Sequence, residues 1–257
     1  MQPLVFDRSY RNLLRAIIIS QFKRREQGSL LGVLWSILNP FLMLIIIYVV
    51  FNNRMGSQVE NYAVYLLIGI VIYTHFANST TAAMQVFQGM GALTANAVFP
   101  KEILVIATVL SRSIEFAVSC LVCIGIAVLT GVQLTSAVFW IVAVILLQTA
   151  FALSVALILS CLYLYLRDIE HIYQVLLRLL FFLTPIFYDM DFIGDGLARN
   201  IVMLNPLTHL TMFARGAILG GDSIVRELMV TLLFTSVMLY LALLVFRKFE
   251  PFIAERV

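Results

Sequence analysis

Residues 137–166 read AVFWIVAVILLQTAFALSVALILSCLYLYL, thirty positions without a single charge. A helix needs about 20 apolar residues to cross the hydrocarbon core of a bilayer, so this stretch crosses with residues to spare. A transmembrane barrel uses strands of roughly 10 residues with alternating polarity, and nothing alternates here. Lipid offers the backbone no hydrogen bonds, so a run of this kind must be helical. The whole chain agrees with that reading. Of its 257 residues, 62% are hydrophobic and 12% are charged, and the mean hydropathy is +1.00. A soluble domain carries about 25% charged residues and about 45–50% apolar ones. An ordinary cytosolic enzyme, a secreted disulfide scaffold and a disordered chain are excluded. The expectation is an all-α integral membrane protein with one transmembrane domain over 1–257.

Charges punctuate the sequence and delimit further spans on both sides of this one. Residues 34–51, 62–83 and 103–129 precede it, and 172–188 and 228–246 follow. The stretch 172–188 is short for a span and ends at Thr184-Pro185. Residues 189–227 hold Pro206, several glycines and apolar pieces too short to cross, which reads as re-entrant or interfacial helices on the outer side. Six spans put both termini on one side. Basic residues favour the cytoplasm. With the N-terminus inside, the inner segments hold Arg8, Arg11, Arg15, Lys23, Arg24, Arg25, Lys101, Arg167, Arg247, Lys248 and Arg256. The outer ones hold Arg54, Arg199, Arg215 and Arg226. Eleven against four makes both termini cytoplasmic.

No cleavable signal opens the chain, because Asp7, Arg8, Arg11 and Arg15 interrupt any early apolar run; the N-terminus is expected to be retained. At about 100° per residue, Tyr10, Leu13, Leu14, Ile17 and Ile18 fall on one arc and Arg8, Arg11, Asn12, Arg15 and Lys23 opposite. Residues 1–26 therefore form a basic amphipathic helix at the inner membrane surface. Lys23-Arg24-Arg25 meets the lipid headgroups just before the first span.

Several chemistries lack their residues. A net charge of +3 is too weak for nucleic-acid binding. No G-x-x-x-x-G-K-[ST] is present, so nucleotide is not held by a P-loop. His75, His171 and His209 lie far apart, and Cys120, Cys123 and Cys161 sit in apolar runs as small buried side chains, so no metal site is expected. A membrane-embedded enzyme would have only Asp189, Asp191 and Asp195 as loose candidates. Arg112 and Glu115, three apart on one helix face, fit a structural pair, snorkelling or a substrate contact. Arg178 fits either a functional intramembrane charge or a partner on a neighbouring helix. Glu115 is the one carboxylate within the spans, too few for an ion-coupled carrier. The energy for transport must come from another chain, or the protein is a passive channel.

The segment KRREQGSLLGVLWSILNP at 23–40 narrows the choice. Basic residues, then Gly28-Ser29, Leu31-Gly32 and Trp35, then Leu38-Asn39-Pro40, resemble the permease subunit of ABC transporters that export O-antigen, capsule or teichoic acid chains. Glu26 stands where that family often carries an aromatic residue. Further similarities follow in order: Phe99-Pro100-Lys101-Glu102-Ile103, Leu166-Arg167-Asp168-Ile169, Thr184-Pro185-Ile186-Phe187-Tyr188 and Asn205-Pro206-Leu207. Gly28 and Gly32 leave one helix face bare for close packing, Trp35 suits the headgroup level, and Pro40 kinks the first span.

The resemblance implies a homodimer joined to two copies of an ATPase subunit, which would bind ATP and Mg; this chain would carry no cofactor and do no covalent chemistry. The substrate would be a polysaccharide linked to polyprenyl pyrophosphate, in a bacterial inner membrane. The N-terminal helix would act as a cytoplasmic gate where the headgroup enters, with Arg15, Lys23, Arg24, Arg25 and Trp35. Residues 85–102 would form a coupling helix on the ATPase, with Phe99, Pro100, Lys101 and Glu102, and Arg167 and Asp168 nearby. Sugars bind through aromatic faces and hydrogen bonds, so Tyr62, Tyr65, Tyr73, Phe76, Tyr163, Tyr165, Phe187 and Tyr188, with Arg178, are expected along the path. A permease for a small drug or a lipid is the alternative of the same architecture.

Overall fold

The computed structural model of the protein describes residues 8–26, 34–56, 59–89, 99–221 and 224–256. Every regular element among them is helical: α1 (Arg8–Glu26), α2 (Leu34–Met55), α3 (Tyr62–Met84), the single turn α4 (Val86–Gly89), α5 (Glu102–Leu129), a 3-10 turn (Ser136–Trp140), α6 (Ile141–Tyr165), α7 (Ile169–Leu183), α8 (Met190–Ile193), α9 (Leu197–Leu204), α10 (Pro206–Leu219) and α11 (Ile224–Arg256). The Gly28–Gly32 motif and residues 90–98 of the 85–102 segment fall outside the described residues, as do the side chains of Arg24 and Arg25.

Among the described residues five helices are long and apolar enough to cross a membrane: α2, α3, α5, α6 with its preceding turn, and α11. The sixth expected crossing, 172–188, is a 15-residue helix. At 1.5 Å per residue it spans about 22 Å, short of the ~30 Å hydrocarbon core. Pro185 stops it: proline disfavours helix in the residue before it, and Thr184 is extended with ψ 132°. The last helix errs the other way. It runs for 33 residues where the sequence suggested 228–246, or about 50 Å.

α3 is the centre of the bundle. Burial reaches 72% along its apolar stretch, against 17% for α2 and for α11. Its residues face inward on nearly every side, including Leu66, Leu67, Ile70 and Ile72. α5 and α6 pack around it, and α11 lies along α6. α1 docks on α5 rather than resting on lipid alone. Ile17 is buried with Tyr10, Leu13, Leu14 and Ile18 against the core. The Gln21 amide donates to Thr108 Oγ1 at 2.8 Å and accepts from Ser111 Oγ at 3.0 Å. Arg8, Arg11, Asn12, Arg15 and Lys23 face outward, as the wheel requires.

The region expected to be re-entrant folds as α8, α9 and α10, with α10 deeply buried. Asn205 caps α10 by accepting from Leu207 N at 3.1 Å, ahead of Pro206 in the first turn. Its amide also donates to Thr184 Oγ1 at 2.9 Å. The Thr184-Pro185 and Asn205-Pro206 motifs, 21 residues apart, are therefore one junction. His209 of α10 bonds Glu227 of α11 at 2.7 Å through Nδ1 and the Met203 carbonyl at 2.8 Å through Nε2. A carbonyl only accepts, so Nε2 carries a hydrogen and the proton between Nδ1 and the carboxylate is shared by a buried pair. Burial alone pulls the His209 pKa down; the Glu227 and Met203 contacts outweigh it and leave it raised above 6.5.

Arg215, counted with the outer loop charges in the sequence, is buried. Its guanidinium lies 3.3 Å from the Tyr65 ring centroid. It donates to the Tyr65 carbonyl at 3.2 and 3.3 Å and to the Ile186 carbonyl at 2.9 Å. Gly69 makes room, because a Cβ there would meet Arg215 at 3.0 Å and the Ile186 backbone at 3.2 Å.

Candidate functional site

A polar stripe interrupts the apolar surface of α3. Thr74, Asn78, Thr81 and Gln85 recur at spacings of four, three and four, which places them on one helical face. Across from it α5 presents Arg112 and α7 presents Gln174 and Arg178. Between them lies a groove of about 470 Å³, lined also by Tyr73, Ala77 and Leu177. A separate small pocket of about 30 Å³ shares Asn78 and Arg112 with the groove and is lined also by His75, Glu115, Ser119 and Pro40. That is space for about one or two waters.

The charges are placed to keep the groove hydrated. Arg112 pairs with Glu115 at 3.5 Å, the pairing their three-residue spacing suggested. It sits about 15 Å along α5 from Glu102, inside the apolar stretch of that helix and not at its end. Arg178 is exposed to the groove and has no ion-pair partner among the described residues. An unpaired guanidinium at membrane depth is tolerated only beside water or a partner. His75 is buried under this wall, stacked on Phe116 at 4.4 Å with Nε2 3.3 Å from Ser113 Oγ, and its Nδ1 has no hydrogen-bond partner. Hydroxyls, amides and guanidinium groups along one seam suit a hydroxylated or anionic solute and not an apolar one.

A family model for the ABC-2 type transporter matches residues 12–219, the whole of this architecture from α1 to the end of α10. The chain belongs to the ABC-2 type transporter family. It is thus a multi-pass membrane permease component of an ABC transporter, a class of machine in which an ATPase partners the membrane chain. The chain is 29% identical over 248 residues to the O-antigen export system permease protein RfbA of Klebsiella pneumoniae, covering 95% of this chain and 94% of that one. It is also 29% identical over 202 residues to the protein of that name from Myxococcus xanthus, covering 78% of each.

Within this ABC-2 permease the residues singled out from sequence separate into three places. Tyr73 and Arg178 line the groove. Tyr62, Tyr65, Phe187 and Tyr188 sit instead in an aromatic knot around Arg215. The Tyr62 hydroxyl donates to the Phe187 carbonyl at 2.7 Å, the Tyr65 hydroxyl donates to the Tyr188 carbonyl at 3.0 Å, and Phe51 stacks on Phe187 at 4.8 Å. Phe76 is buried against Phe151 at 5.4 Å, and Tyr165 packs on Phe249 at 5.1 Å. These six do not line the groove of the single chain, because their rings pack against other helices and the hydroxyls of Tyr62, Tyr65 and Tyr188 satisfy backbone carbonyls.

At the opposite end of α3 lie the residues expected near an ATPase. Lys101 Nζ stands 4.6 Å over the Phe99 ring, and Pro100 and Lys101 carbonyls start α5. Arg167 and Asp168 are exposed in the turn between α6 and α7. Trp35 is half exposed at the start of α2, and Pro40 is buried inside that helix. The stripe on α3, Arg215 and Gln21 escaped the sequence reading. The four-three-four spacing was a usable signal for the first; the other two depend on contacts across 150 and 87 residues.

Proposed function

We propose that this chain is the membrane subunit of an ATP-driven exporter of lipid-linked polysaccharide, with O-antigen on polyprenyl pyrophosphate as the cargo. Two copies form the conduit, and two ATPase subunits bind ATP and Mg and supply the power stroke. The observation that carries the reading is the groove. A membrane protein otherwise built of apolar helices turns hydroxyl, amide and guanidinium groups toward one seam. Sugar hydroxyls exchange hydrogen bonds with such groups, and the arginines suit an anionic link.

The exposed stripe Ile172, Val175, Leu176, Leu179, Phe182 and Leu183 on α7 supports a second copy. It borders Arg178, whose charge lipid would not cover. In this reading α7, extended by 184–188, completes a sixth passage in the assembled dimer, so both termini face the cytoplasm of a bacterial inner membrane. α1, docked through Gln21, gates headgroup access with Arg15, Lys23, Arg24, Arg25 and Trp35. The 85–102 segment and the Arg167–Asp168 turn receive the ATPase. The Klebsiella and Myxococcus relatives are by name O-antigen export permeases, which supports O-antigen as the glycan.

The test is export itself. Deleting the gene strands lipid-linked glycan inside the cell. Asn78→Leu and Arg178→Gln, which make the seam apolar or neutral, reduce surface glycan while the chain remains in the membrane. Normal surface glycan in both variants rejects the groove as the path, and a strain whose deletion stalls a drug or lipid instead favours the alternative cargo.

A further inference from the structure

α7 is anchored in an unusual way for a helix of its position. Of its fifteen residues only Tyr173 and Leu177 are buried. What ties it to the bundle is a ladder of polar contacts to α3 in antiparallel register. At one end the Gln85 amide donates to Glu170 Oε1 at 2.7 Å. One turn along, the Tyr173 hydroxyl donates to Thr80 Oγ1. One turn further, the Tyr73 hydroxyl donates to the Leu177 carbonyl at 2.6 Å. Glu170 is also held from α6, because Tyr163 donates its hydroxyl to Oε2 at 3.0 Å.

Glu170 is thus the meeting point of three helix ends. Gln85 closes α3 and is the first residue of the 85–102 segment. Tyr163 lies at the end of α6, and Glu170 in the first turn of α7. The same α7 carries Gln174 and Arg178 into the groove. Both neighbours of Glu170 donate, so the junction needs a side chain that accepts twice, and a carboxylate does so. A charged acceptor strengthens both bonds, and a carboxylate in a first helical turn is favoured by the helix dipole.

We infer that Glu170 is a positioning residue that clasps α7 to the end of α3, so that displacement of the 85–102 segment moves Gln174 and Arg178 in the groove. The inference rests on the proposed docking of an ATPase at that segment. A rigid link is required there, because α7 has too little buried surface to follow α3 by packing. Without the clasp, the ATPase subunit still turns over, but the start of α7 is loose and only the Tyr173 and Tyr73 bonds further along still tie the helix to α3.

Hydrogen-bond direction supplies the test. In Glu170→Gln the amide oxygen can still accept from Gln85 and the Tyr163 hydroxyl can turn to accept from the amide N–H, but both bonds lose the charged acceptor that strengthens them. In the exchange Gln85→Glu with Glu170→Gln, the amide at 170 donates to the carboxylate at 85 and still accepts from Tyr163, restoring both bonds. Spin labels at Gln88→Cys and His171→Cys, both exposed and outside the α7 stripe assigned to a second copy, report the spacing of the two elements, since Cys120, Cys123 and Cys161 are buried. Labelled chain is diluted with unlabelled chain to read only the distance within one copy.

The expected result is a narrow distribution in the parent, clear broadening in Glu170→Ala, a smaller broadening in Glu170→Gln where the bonds become neutral, and recovery in the exchange, which restores a carboxylate to the junction. In cells, Glu170→Ala lowers surface glycan by about tenfold, on the scale of a coupling free energy, while ATP hydrolysis by the purified complex continues and the exchange restores export. An unchanged distance distribution in Glu170→Ala overturns the clasp, and so does broadening with normal export. Failure of the exchange to narrow the distribution overturns it too. A parent distribution that ignores added ATPase subunit and ATP rejects the docking reading instead, while the comparison within the chain alone still judges the clasp.

Discussion

Replacing Arg215 by Leu tests whether the aromatic knot is held from its centre. The guanidinium donates three hydrogen bonds to two carbonyls and faces the Tyr65 ring. A neutral interhelical hydrogen bond in a membrane protein averages about 0.6 kcal/mol, so neutral bonds alone would predict a mild effect. Here the donor is charged, and such bonds are worth about 1.5–3 kcal/mol each. The Ile186 carbonyl, in a fully buried residue, would lose its guanidinium donor, at about 1–3 kcal/mol. The Tyr65 carbonyl sits in a helix and loses less. Relief of guanidinium desolvation and the apolar contacts of leucine offset part of the loss. The balance is about 3–4 kcal/mol. Arg215→Lys keeps the charge but cannot reach two carbonyls at once, and should lose about half as much. Chemical unfolding of the purified chain in detergent, followed by the fluorescence of Trp35 and Trp140, reads both values. A loss below about 1 kcal/mol for Arg215→Leu would show that packing, and not the guanidinium, holds the loop to α3.

Asn205→Ala removes the cap of α10 and the bonds to Thr184 and the Leu183 carbonyl, and should cost about 1–2 kcal/mol in the same unfolding assay; Asn205→Asp should keep the cap and lose the two bonds donated by the amide nitrogen. His209 has a pKa raised above 6.5, so its stabilising contribution is full below about pH 6.5 and fades as pH rises through the raised value. The melting temperature of the parent should fall across that window relative to a His209→Gln variant, and parallel curves would refute the shared proton. Gln21→Ala cuts both polar ties between α1 and α5. Trypsin should then cleave at the exposed Arg15 and Lys23 faster than in the parent, and equal rates would mean that Ile17 and its neighbours hold the helix without help.

Reading charges as the ends of spans works where the charges face water. It located α3, α5 and α6 within a residue or two. It shortened the last helix at both ends, because Glu227, which the fold buries against His209, reads as a loop residue and Arg247, Lys248 and Glu250 read as the end of the span while the helix runs on to Arg256. It placed Arg215 outside for the same reason. Aromatic residues chosen by type for a sugar path turned out to be divided between packing and groove, because ring chemistry does not say which way a helix is rotated. Tyr73 and Tyr65 are eight residues apart on one helix, yet the first bonds Leu177 beside the groove and the second closes over Arg215.

Composition and the length of the uncharged runs determined that this chain lives in a bilayer and is helical, since no other backbone arrangement satisfies itself in hydrocarbon. The short motifs carried the family likeness, and the Thr184-Pro185 break was visible as a stop. Only the tertiary structure decided which polar side chains share a groove, that Arg215 turns inward, and that Gln85, Tyr163 and Glu170 meet. Those facts depend on the rotation of each helix about its axis and on pairs up to 150 residues apart, and they are settled by the mutual burial of helices that no local stretch of sequence contains.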